Sequence, residues 1–349
     1  MQPAPRHGLA ALSPAWFGMV MATGIVSIAA WQHGLVLLAQ ALFTLNAGVY
    51  ALLWLLYLLR LLRHPSEVAR DLADHMASPG FFTAVAASGV LGSEVLLLAG
   101  AERIAVLLWV VAVVLWLLLT YGILAALIVR PAKPSLERGI HGGWLLVVVA
   151  TQSIAVLSAL LAARGGDHRL PLDFLALAMW LCGGMLYIWI ATLVLYRCIY
   201  FPVAPADLTP PYWIGMGAMA ISTLAGALLG LNATEAPFLQ PLLPFINGFT
   251  LFYWAAGTWW IPLLVVLTLW RHAWRRFPLR YDPLYWSAVF PLGMYAASTF
   301  EMAHAMDLPF LAHVPTVFLV AALLAWATAF AGVVRRLAGR LLDRNPVRS

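Results

Sequence analysis

Residues 104–129 read IAVLLWVVAVVLWLLLTYGILAALIV, a stretch of 26 residues that contains no charged side chain. A membrane helix needs about 20 consecutive apolar residues to cross a hydrocarbon core of about 30 Å. The stretch exceeds that length, and Arg103 and Arg130 flank it on either side. It therefore predicts a transmembrane helix.

The rest of the chain has the same character. Of its 349 residues, 63% are hydrophobic and 10% are charged, whereas soluble domains carry about 25% charged residues. This composition excludes an ordinary soluble domain and predicts an all-α membrane protein. Apolar stretches bounded by charge, Pro or Gly give ten predicted spans, at 14–32, 36–60, 79–99, 104–129, 141–163, 172–197, 211–231, 241–270, 283–306 and 309–334. We expect residues 1–349 to form one transmembrane domain with short cytoplasmic tails, 1–12 and 336–349.

The positions of the basic residues predict the orientation, because Lys and Arg are retained on the cytoplasmic side of a membrane. With both termini inside, 17 of the 20 Lys and Arg residues fall on the inner side, and Arg103, Arg164 and Arg169 fall outside. We expect a multi-pass protein of the plasma or inner membrane with both termini in the cytoplasm. The net charge of +6 then follows from topology and gives no support for nucleic acid as a partner.

Four of the five odd-numbered spans begin with one signal, a residue able to cap a helix followed by proline in the first turn. The pairs are Ser13-Pro14, Ser78-Pro79, Thr209-Pro210 and Asp282-Pro283. The remaining odd span opens instead with glycines around His141. The alternation predicts a helical hairpin repeated five times. The N-termini of the odd helices would meet at the cytoplasmic face, where their dipoles attract anions.

The odd spans are also rich in Gly, Ser and Thr. Small residues either let helices pack closely or leave room for a pore, and hydroxyls either line that pore or bond back to their own helix. No Asp, Glu, Lys or Arg lies near the middle of a span, which argues against a proton relay. Glu94 and Glu301 are the ionisable residues inside apolar stretches, toward the outer ends of odd spans. They either face a pore mouth or are solvated among lipid headgroups.

Motifs for other chemistry are weak or absent in the sequence. Glu301 and His304 have the spacing of carboxylate-bridged metal bundles, but such a site needs two copies and the sequence holds one. The sequence has no phosphate loop, dinucleotide fingerprint or G-x-S-x-G elbow. We therefore expect no enzyme, no metal site and no cofactor.

Five motifs spread over nearly the whole chain carry a family resemblance. They are WFGMVMATGI from Trp16 to Ile25, SPGFFT from Ser78 to Thr83, PPYW from Pro210 to Trp213, WWIP from Trp259 to Pro262 and YWSAVFP from Tyr285 to Pro291. On these motifs the chain resembles the tellurite-resistance and dicarboxylate transporter family, which includes plant slow anion channels, fungal malate permeases and sulfite efflux pumps. It departs from the family pattern at Ala22, where Gly is common, and at Glu94, where Gln is.

The resemblance implies five helical hairpins around a central pore, with odd helices inside, even helices outside and three protomers in the assembly. It also implies a pore gate at a phenylalanine followed by proline, the place that Phe290 and Pro291 occupy here. Pro291 predicts a bend beside that ring, and helical spacing puts Glu301 on the same face. The candidate lining residues are Thr23, Ser27, Thr83, Ala87, Ser88, Thr151, Ser222, Gly293 and Ala297. With Glu94, Glu301 would flank the outer mouth, oppose anions there and favour their release to the outside.

Two functions follow as hypotheses. The first is a passive pathway for small anions, of the chloride, nitrate, malate or sulfite class, through a neutral pore that Phe290 closes. The alternative is a proton-coupled transporter that exports C4-dicarboxylates, sulfite or tellurite-related anions. A receptor or structural membrane protein, a third class, would carry no flux.

Overall fold

The computed structural model describes residues 8–279 and 281–342, and in this part of the chain all regular secondary structure is helical. Ten long α-helices follow one another in the order of the predicted spans. They are α1 (Gly18–Gln32), α2 (Val36–Arg63), α3 (Phe82–Leu98), α4 (Glu102–Val129), α5 (Leu146–Ala162), α6 (Arg169–Tyr200), α7 (Ile214–Asn232), α8 (Leu243–Leu269), α9 (Trp286–Ala305) and α10 (His313–Leu342). The all-α prediction is confirmed for the described residues. Arg6, Arg280, Arg344 and Arg348, which the orientation argument counts, lie outside them.

Within the described ranges, nine helical segments are long and apolar enough to cross a membrane, and the protein is a multi-pass membrane protein. The segment that contains α9 is not among the nine. Its 20 residues are long enough at about 30 Å, but polar side chains such as Ser298, Thr299 and Glu301 lower its mean hydropathy. The count of ten spans therefore stays a prediction.

Short helical segments connect or extend the long helices. They are the 3₁₀ turns Gly8–Ala11, Pro14–Phe17, Ser78–Phe81, Gly142–Leu145, Pro210–Trp213, Gln240–Leu242, Pro283–Tyr285 and Pro309–Leu311, the α-helices Pro65–Leu72 and Leu136–Gly139, and the π-helix Trp270–Trp274. Each odd helix is preceded directly by one of these 3₁₀ turns. The predicted hairpin repeat is thus visible in all five odd helices, including α5, which has no cap-proline pair.

The caps of these turns differ from the sequence pattern at three places. Ser13 and Asp282 accept the expected hydrogen bonds, from the backbone N–H of Ala15 and Leu284. Thr209 makes no side-chain cap bond, and the Ser78 hydroxyl is buried without one. Before α5, where the pattern lacks a capping Ser or Thr, the His141 ring accepts from the N–H of Gly143 at 3.1 Å. A histidine therefore substitutes for the missing cap.

The five odd helices form a closed inner ring, because α1 contacts α3, α3 contacts α5, α5 contacts α7, α7 contacts α9 and α9 contacts α1. The 3₁₀ turns that precede them contact one another in the same closed order. In α1, α3, α5 and α7, 83 to 94% of the most apolar stretch is buried, whereas in the even helices the share is 17 to 39%. The predicted division into inner odd helices and outer even helices is therefore observed, and the apolar outer faces suit lipid.

Candidate functional site

A small cavity of about 40 Å³, partly open to solvent, lies within the inner ring. All five odd helices line it, and the lining residues recur with spacings of three and four. They are Ile25, Ile28 and Gln32; Gly89, Val90, Ser93 and Leu97; Ser153, Val156 and Leu160; Ile221, Leu224 and Leu228; and Met294 and Glu301. Because this spacing follows one face of a helix, each odd helix turns the same stripe of its surface toward the axis.

The cavity wall is almost neutral. Among its lining residues only Glu301 is ionisable. The Ser93 and Ser153 hydroxyls donate to carbonyls of their own helices, Gly89 and Ala150, at 2.9 and 2.8 Å. The wall is therefore apolar apart from hydroxyl oxygens and one polar pair at its outer rim.

The polar pair at the rim consists of Gln32, the last residue of α1, and Glu301 of α9. The Gln32 amide donates to Glu301 Oε1 at 2.8 Å. Of the two predicted outer-mouth carboxylates, Glu301 lines the cavity beside the last residue of α1.

Four positions before the lining residues Ile25, Val90, Ser153, Ile221 and Met294, the odd helices carry Met21, Ala86, Val149, Gly217 and Phe290. All five are buried, and Phe290 has an exposed fraction of 0%. Phe290 carries the only aromatic ring among these five residues, which form one layer of the inner helices.

The Phe290 ring fits this layer because the neighbouring inner helix has no side chain there. A Cβ added to Gly217 of α7 would lie 3.3 Å from Phe290 Cδ1 and 2.9 Å from Pro291 Cγ. Pro291 has no N–H to donate to the Ser287 carbonyl one turn earlier, so the helix is weakened beside the ring. The glycine and the proline together let α7 and α9 approach at the closed layer.

Three of the six predicted lining hydroxyls, those of Thr23, Ser88 and Thr151, are bonded to aromatic side chains of the outer helices. Each even helix makes at least one aromatic N–H or O–H bond to the odd helix that follows it around the ring. Five of these bonds, one from each even helix, are Tyr50 to Ser88, Trp116 to Thr151, Trp180 to the carbonyl of Ser222, Trp254 to Thr299 and Trp326 to Thr23, at 2.7 to 3.0 Å. A buried hydroxyl or indole in an apolar setting needs a partner, and these pairs satisfy both.

The other predicted lining residues have different neighbours. The Ser27 hydroxyl donates to the Ala39 carbonyl of α2, and Thr83 donates to the carbonyls of Pro14 and Gly80. Ala87 packs in a cluster with Phe17 and Leu53, on the side of α2. Gly293 lies against α1, where an added Cβ would come within 3.0 Å of Val26. Ala297 lies between Met294 and Glu301 on the stripe that faces the axis.

Glu94, the second predicted mouth residue, lies elsewhere. Its side chain is fully buried, and Oε2 accepts a hydrogen bond of 2.5 Å from the amide of Asn46 on α2. The carboxyl group lies over the backbone of Gly24 on α1. This placement corrects the expectation of two carboxylates at the outer mouth, because α3 turns Glu94 toward an outer helix rather than toward the cavity.

Of the residues that line the cavity, Glu301 was predicted from the sequence, and most of the others were missed because they are aliphatic. Ile25, Val90, Val156, Ile221 and Leu224 look like ordinary core residues of apolar helices. A signal was available in the repeat itself, since a three-plus-four spacing recurs at corresponding places in α1, α3, α5 and α7, and the two lining residues of α9 are seven positions apart.

At the cytoplasmic ends, several of the arginines that the orientation argument places inside bind other parts of the chain. Arg60 pairs with Asp71, and Arg197 with Asp207. Arg130 and Arg271 donate to the carbonyls of Ala73 and Leu208. These guanidinium groups stabilise the inner loops, and each has part of its donor capacity already used.

Two histidines lie close together at the same side, before the segment Gly142–Ala162. Burial lowers the pKa of His141, whose ring caps the turn before α5. Burial and the nearby Arg130 charge lower the pKa of His75. Within the described residues, no group of three His, Cys, Asp or Glu side chains could hold a metal ion.

Comparison with known proteins gives a consistent result. A family model described as the voltage-dependent anion channel, SLAC1, matches residues 11–334. An uncharacterized membrane protein of Mycobacterium tuberculosis is 38% identical over 156 residues, which cover 45% of this chain and 79% of that protein. Two uncharacterized transporters of Methanocaldococcus jannaschii are 25% and 26% identical over 292 and 302 residues, about four fifths of each chain.

Proposed function

Because this chain belongs to the voltage-dependent anion channel (SLAC1) family, we propose that it conducts small inorganic or carboxylate anions along the axis of its inner ring. Chloride, nitrate, malate and sulfite are the class of anion that we expect. The observation that carries the proposal is the cavity that all five odd helices line. It supports a channel or transporter rather than an enzyme.

The chemistry of the wall supports passive conduction. None of the described residues that line the cavity is a cation that could hold an anion tightly. An anion would therefore pass by exchanging hydration water for weak contacts with hydroxyls and Cα–H groups, and selection would rest on dehydration cost and pore width.

We infer that Phe290 is the gate. Its buried ring lies one helical turn before the lining residue Met294, where it would separate the cavity from the cytoplasmic side, and the neighbouring Pro291 weakens the helix at that point. Rotation of the Phe290 side chain, or straightening of α9 beside Pro291, would open the axis while the other inner helices keep their packing.

Proton-coupled export is the second candidate, and one observation favours it. Glu301 is a titratable group on the pathway itself, hydrogen-bonded to Gln32 at the outer rim. A carboxyl group in that place can take up a proton from the outside and change the charge that a departing anion meets.

We further propose that the protein is an inner-membrane or plasma-membrane protein with both termini in the cytoplasm, and that it assembles as a homotrimer. The distribution of Lys and Arg supports the orientation, and the family resemblance supports the trimer. Native mass measurement in detergent should give three times the chain mass of 38.1 kDa.

One experiment separates the functions. Purified protein in liposomes is assayed for chloride, nitrate, malate and sulfite flux, at several concentrations, with and without a pH gradient. A channel gives flux that rises linearly with concentration and ignores the gradient, whereas a coupled transporter gives saturable, gradient-driven flux. Absence of flux for all four anions would contradict both proposals.

A further inference from the structure

A buried acid–amide pair joins the outer helix α2 to the inner helices α1 and α3. Glu94 of α3 and Asn46 of α2 both have exposed fractions of 0%. The Asn46 Nδ2 group donates to Glu94 Oε2 at 2.5 Å. Gly24 of α1 makes room for the pair, because a Cβ there would lie 2.7 Å from Glu94 Oε2 and 2.8 Å from Asn46 Nδ2.

The pair contains two oxygen atoms without a donor. Glu94 Oε1 and Asn46 Oδ1 are both buried and have no hydrogen-bond partner. An ionised carboxylate is an acceptor only and has about four sites to fill, and the amide oxygen is also an acceptor. With Glu94 ionised, the pair would hold one N–H···O bond and leave both remaining oxygens unsatisfied inside the membrane, where each unmet polar group is costly.

No charged group faces this carboxyl among the described residues. From α1 it meets Gly24 and the hydroxyl of Ser27, and from α2 the neutral amide of Asn46. Tyr50, one turn further along α2, bonds to Ser88 instead. Arg164, which reaches α3 from beyond α5, donates to the Leu96 carbonyl. A buried carboxylate therefore has no cation here to offset its charge.

A single added proton gives both unpaired oxygen atoms of the pair a hydrogen-bond partner. A proton on Glu94 Oε1 turns that oxygen into a donor, and Asn46 Oδ1 is the acceptor that lacks one. The Ser27 hydroxyl, which already donates to the Ala39 carbonyl, is a second acceptor beside the same carboxyl. We propose that Glu94 is a proton-binding site, neutral in this structure, whose bound proton closes a two-bond acid–amide pair with Asn46 and locks α2 onto α1 and α3.

The site is placed to affect the cavity. Glu94 follows Ser93 directly and stands between Val90 and Leu97 on α3, and all three of those residues line the cavity. Loss of the proton leaves a carboxylate that must gain water or separate from Asn46, and either change moves α3 relative to α2. The proton site itself does not depend on the proposed anion pathway, whereas an effect on flux does rest on that function.

The first test compares wild type with Glu94→Gln, whose amide reproduces the protonated acid because it donates to Asn46 Oδ1 and accepts from Nδ2. Thermal unfolding is followed from about pH 6 to about pH 9.5. Wild type should lose at least about 3 °C more than the variant over this range, since the unfolded chain releases the proton more easily. Glu102→Gln, which removes an exposed carboxyl at the start of α4, is the control and should keep the wild-type slope. Equal slopes for wild type and Glu94→Gln would overturn the proposal.

Infrared spectroscopy provides a readout that does not depend on stability. Wild type at neutral pH should show the C=O stretch of a protonated, hydrogen-bonded carboxylic acid, and Glu94→Gln should lose that band. Should Glu94→Gln fail to fold, the double variant Glu301→Gln, Asp173→Asn removes the other buried candidates and should retain the band. Wild-type protein without such a band would overturn the proposal.

A flux measurement tests whether the proton site at Glu94 affects the anion pathway. When the pH on both sides is raised together from about pH 6 to about pH 9.5, anion flux should change at least about twofold in wild type and stay constant in Glu94→Gln. If the infrared band and the pH-dependent stability are observed but the flux does not change, the proton site stands and its coupling to the pathway is refuted. Absence of flux at every pH would count against the proposed function alone.

Discussion

The ring of Phe290 on α9 lies against the backbone of Gly217 on α7, and the space for the ring exists because Gly217 has no side chain. The built Cβ of an alanine at Gly217 would come within 3.3 Å of the ring and 2.9 Å of Pro291. Both residues lie one turn inward from lining residues of the cavity, Met294 and Ile221. The contact therefore lies in the layer that we propose closes the axis.

Replacement of Phe290 by Ala should open this layer. We expect anion flux in liposomes to rise at least about tenfold, which corresponds to about 1.4 kcal/mol less barrier. Phe300→Ala is the matched control, because it removes the same ring from the same helix at a position that is 36% exposed. If both variants conduct like wild type, Phe290 is not the gate.

Gly217→Ala should disturb the same contact from the other side. The added methyl group meets the rigid Pro291 ring, so α7 and α9 must separate or the Phe290 ring must move. Overpacking of this kind costs about 1–3 kcal/mol, visible as a lower unfolding temperature. Gly248→Ala on α8, where an added Cβ meets nothing within 4 Å, should be neutral or slightly stabilising. Equal stability of the two variants would contradict the tight contact.

The aromatic bonds between outer and inner helices can be tested with Trp116 and Thr151. Thr151→Val leaves the Trp116 indole N–H without its acceptor in a buried place, which costs about 1–3 kcal/mol. Trp116→Phe and the double variant complete a cycle in which we expect a coupling energy of about 1 kcal/mol. Thr192→Val is the control, since that exposed hydroxyl donates only to its own helix. Additive effects of the two changes would show that the bond does not stabilise the ring.

Glu301→Gln should ease anion entry from the outside. The variant removes the negative charge at the rim and keeps an oxygen for the Gln32 amide. One charge near the path contributes about 1 kcal/mol at short range in water, so inward anion flux should rise about fivefold and rectification should fall. Glu102→Gln, at the outer end of α4 and away from the cavity, should leave flux unchanged. An unaltered current in Glu301→Gln would remove the residue from the pathway.

The histidine cap before α5 predicts a pH dependence on the acid side. Burial lowers the pKa of His141 below its ordinary value, so the folded protein binds this proton less readily than the unfolded chain. The stabilisation by the neutral ring is present above about pH 6.5 and is lost as the pH falls through the lowered pKa. His141→Asn, a cap that does not titrate, should lose about 2–4 °C less than wild type when the pH falls from about 7.5 to about 5. His168→Asn, in an exposed loop, should follow wild type.

Much of the fold could be predicted from local sequence. Runs such as 104–129 are too apolar to be exposed to water and long enough to span the hydrocarbon core of a membrane. Cap-proline pairs such as Ser13-Pro14 mark where four of the inner helices begin. The fifth beginning was hidden, because it is capped by His141, which is not among the usual capping residues. The hairpin repeat followed from these local signals, whereas the expectation of inner odd and outer even helices came from the family resemblance.

The candidate site could be predicted only in part. Phe290 and Pro291 stand out as neighbours in sequence, and Glu301 follows on the same helical face. The partners of Thr23, Thr151 and Glu94 could not be predicted, because Trp326, Trp116 and Asn46 lie between 35 and 303 residues away along the chain. Hydroxyls that seemed suited to a pore are held by the outer helices instead.

By itself, the sequence determined that the chain lies in a membrane, where its helices begin and which of them belong together in hairpins, because hydropathy, caps and prolines act within a few residues. Only the tertiary structure decided which face of each inner helix turns to the axis. The inner helices are buried on all sides, so their apolar pattern marks no preferred face. The choice is made by contacts between helices that are far apart in the sequence: glycine against an aromatic ring, indole against hydroxyl and amide against carboxyl.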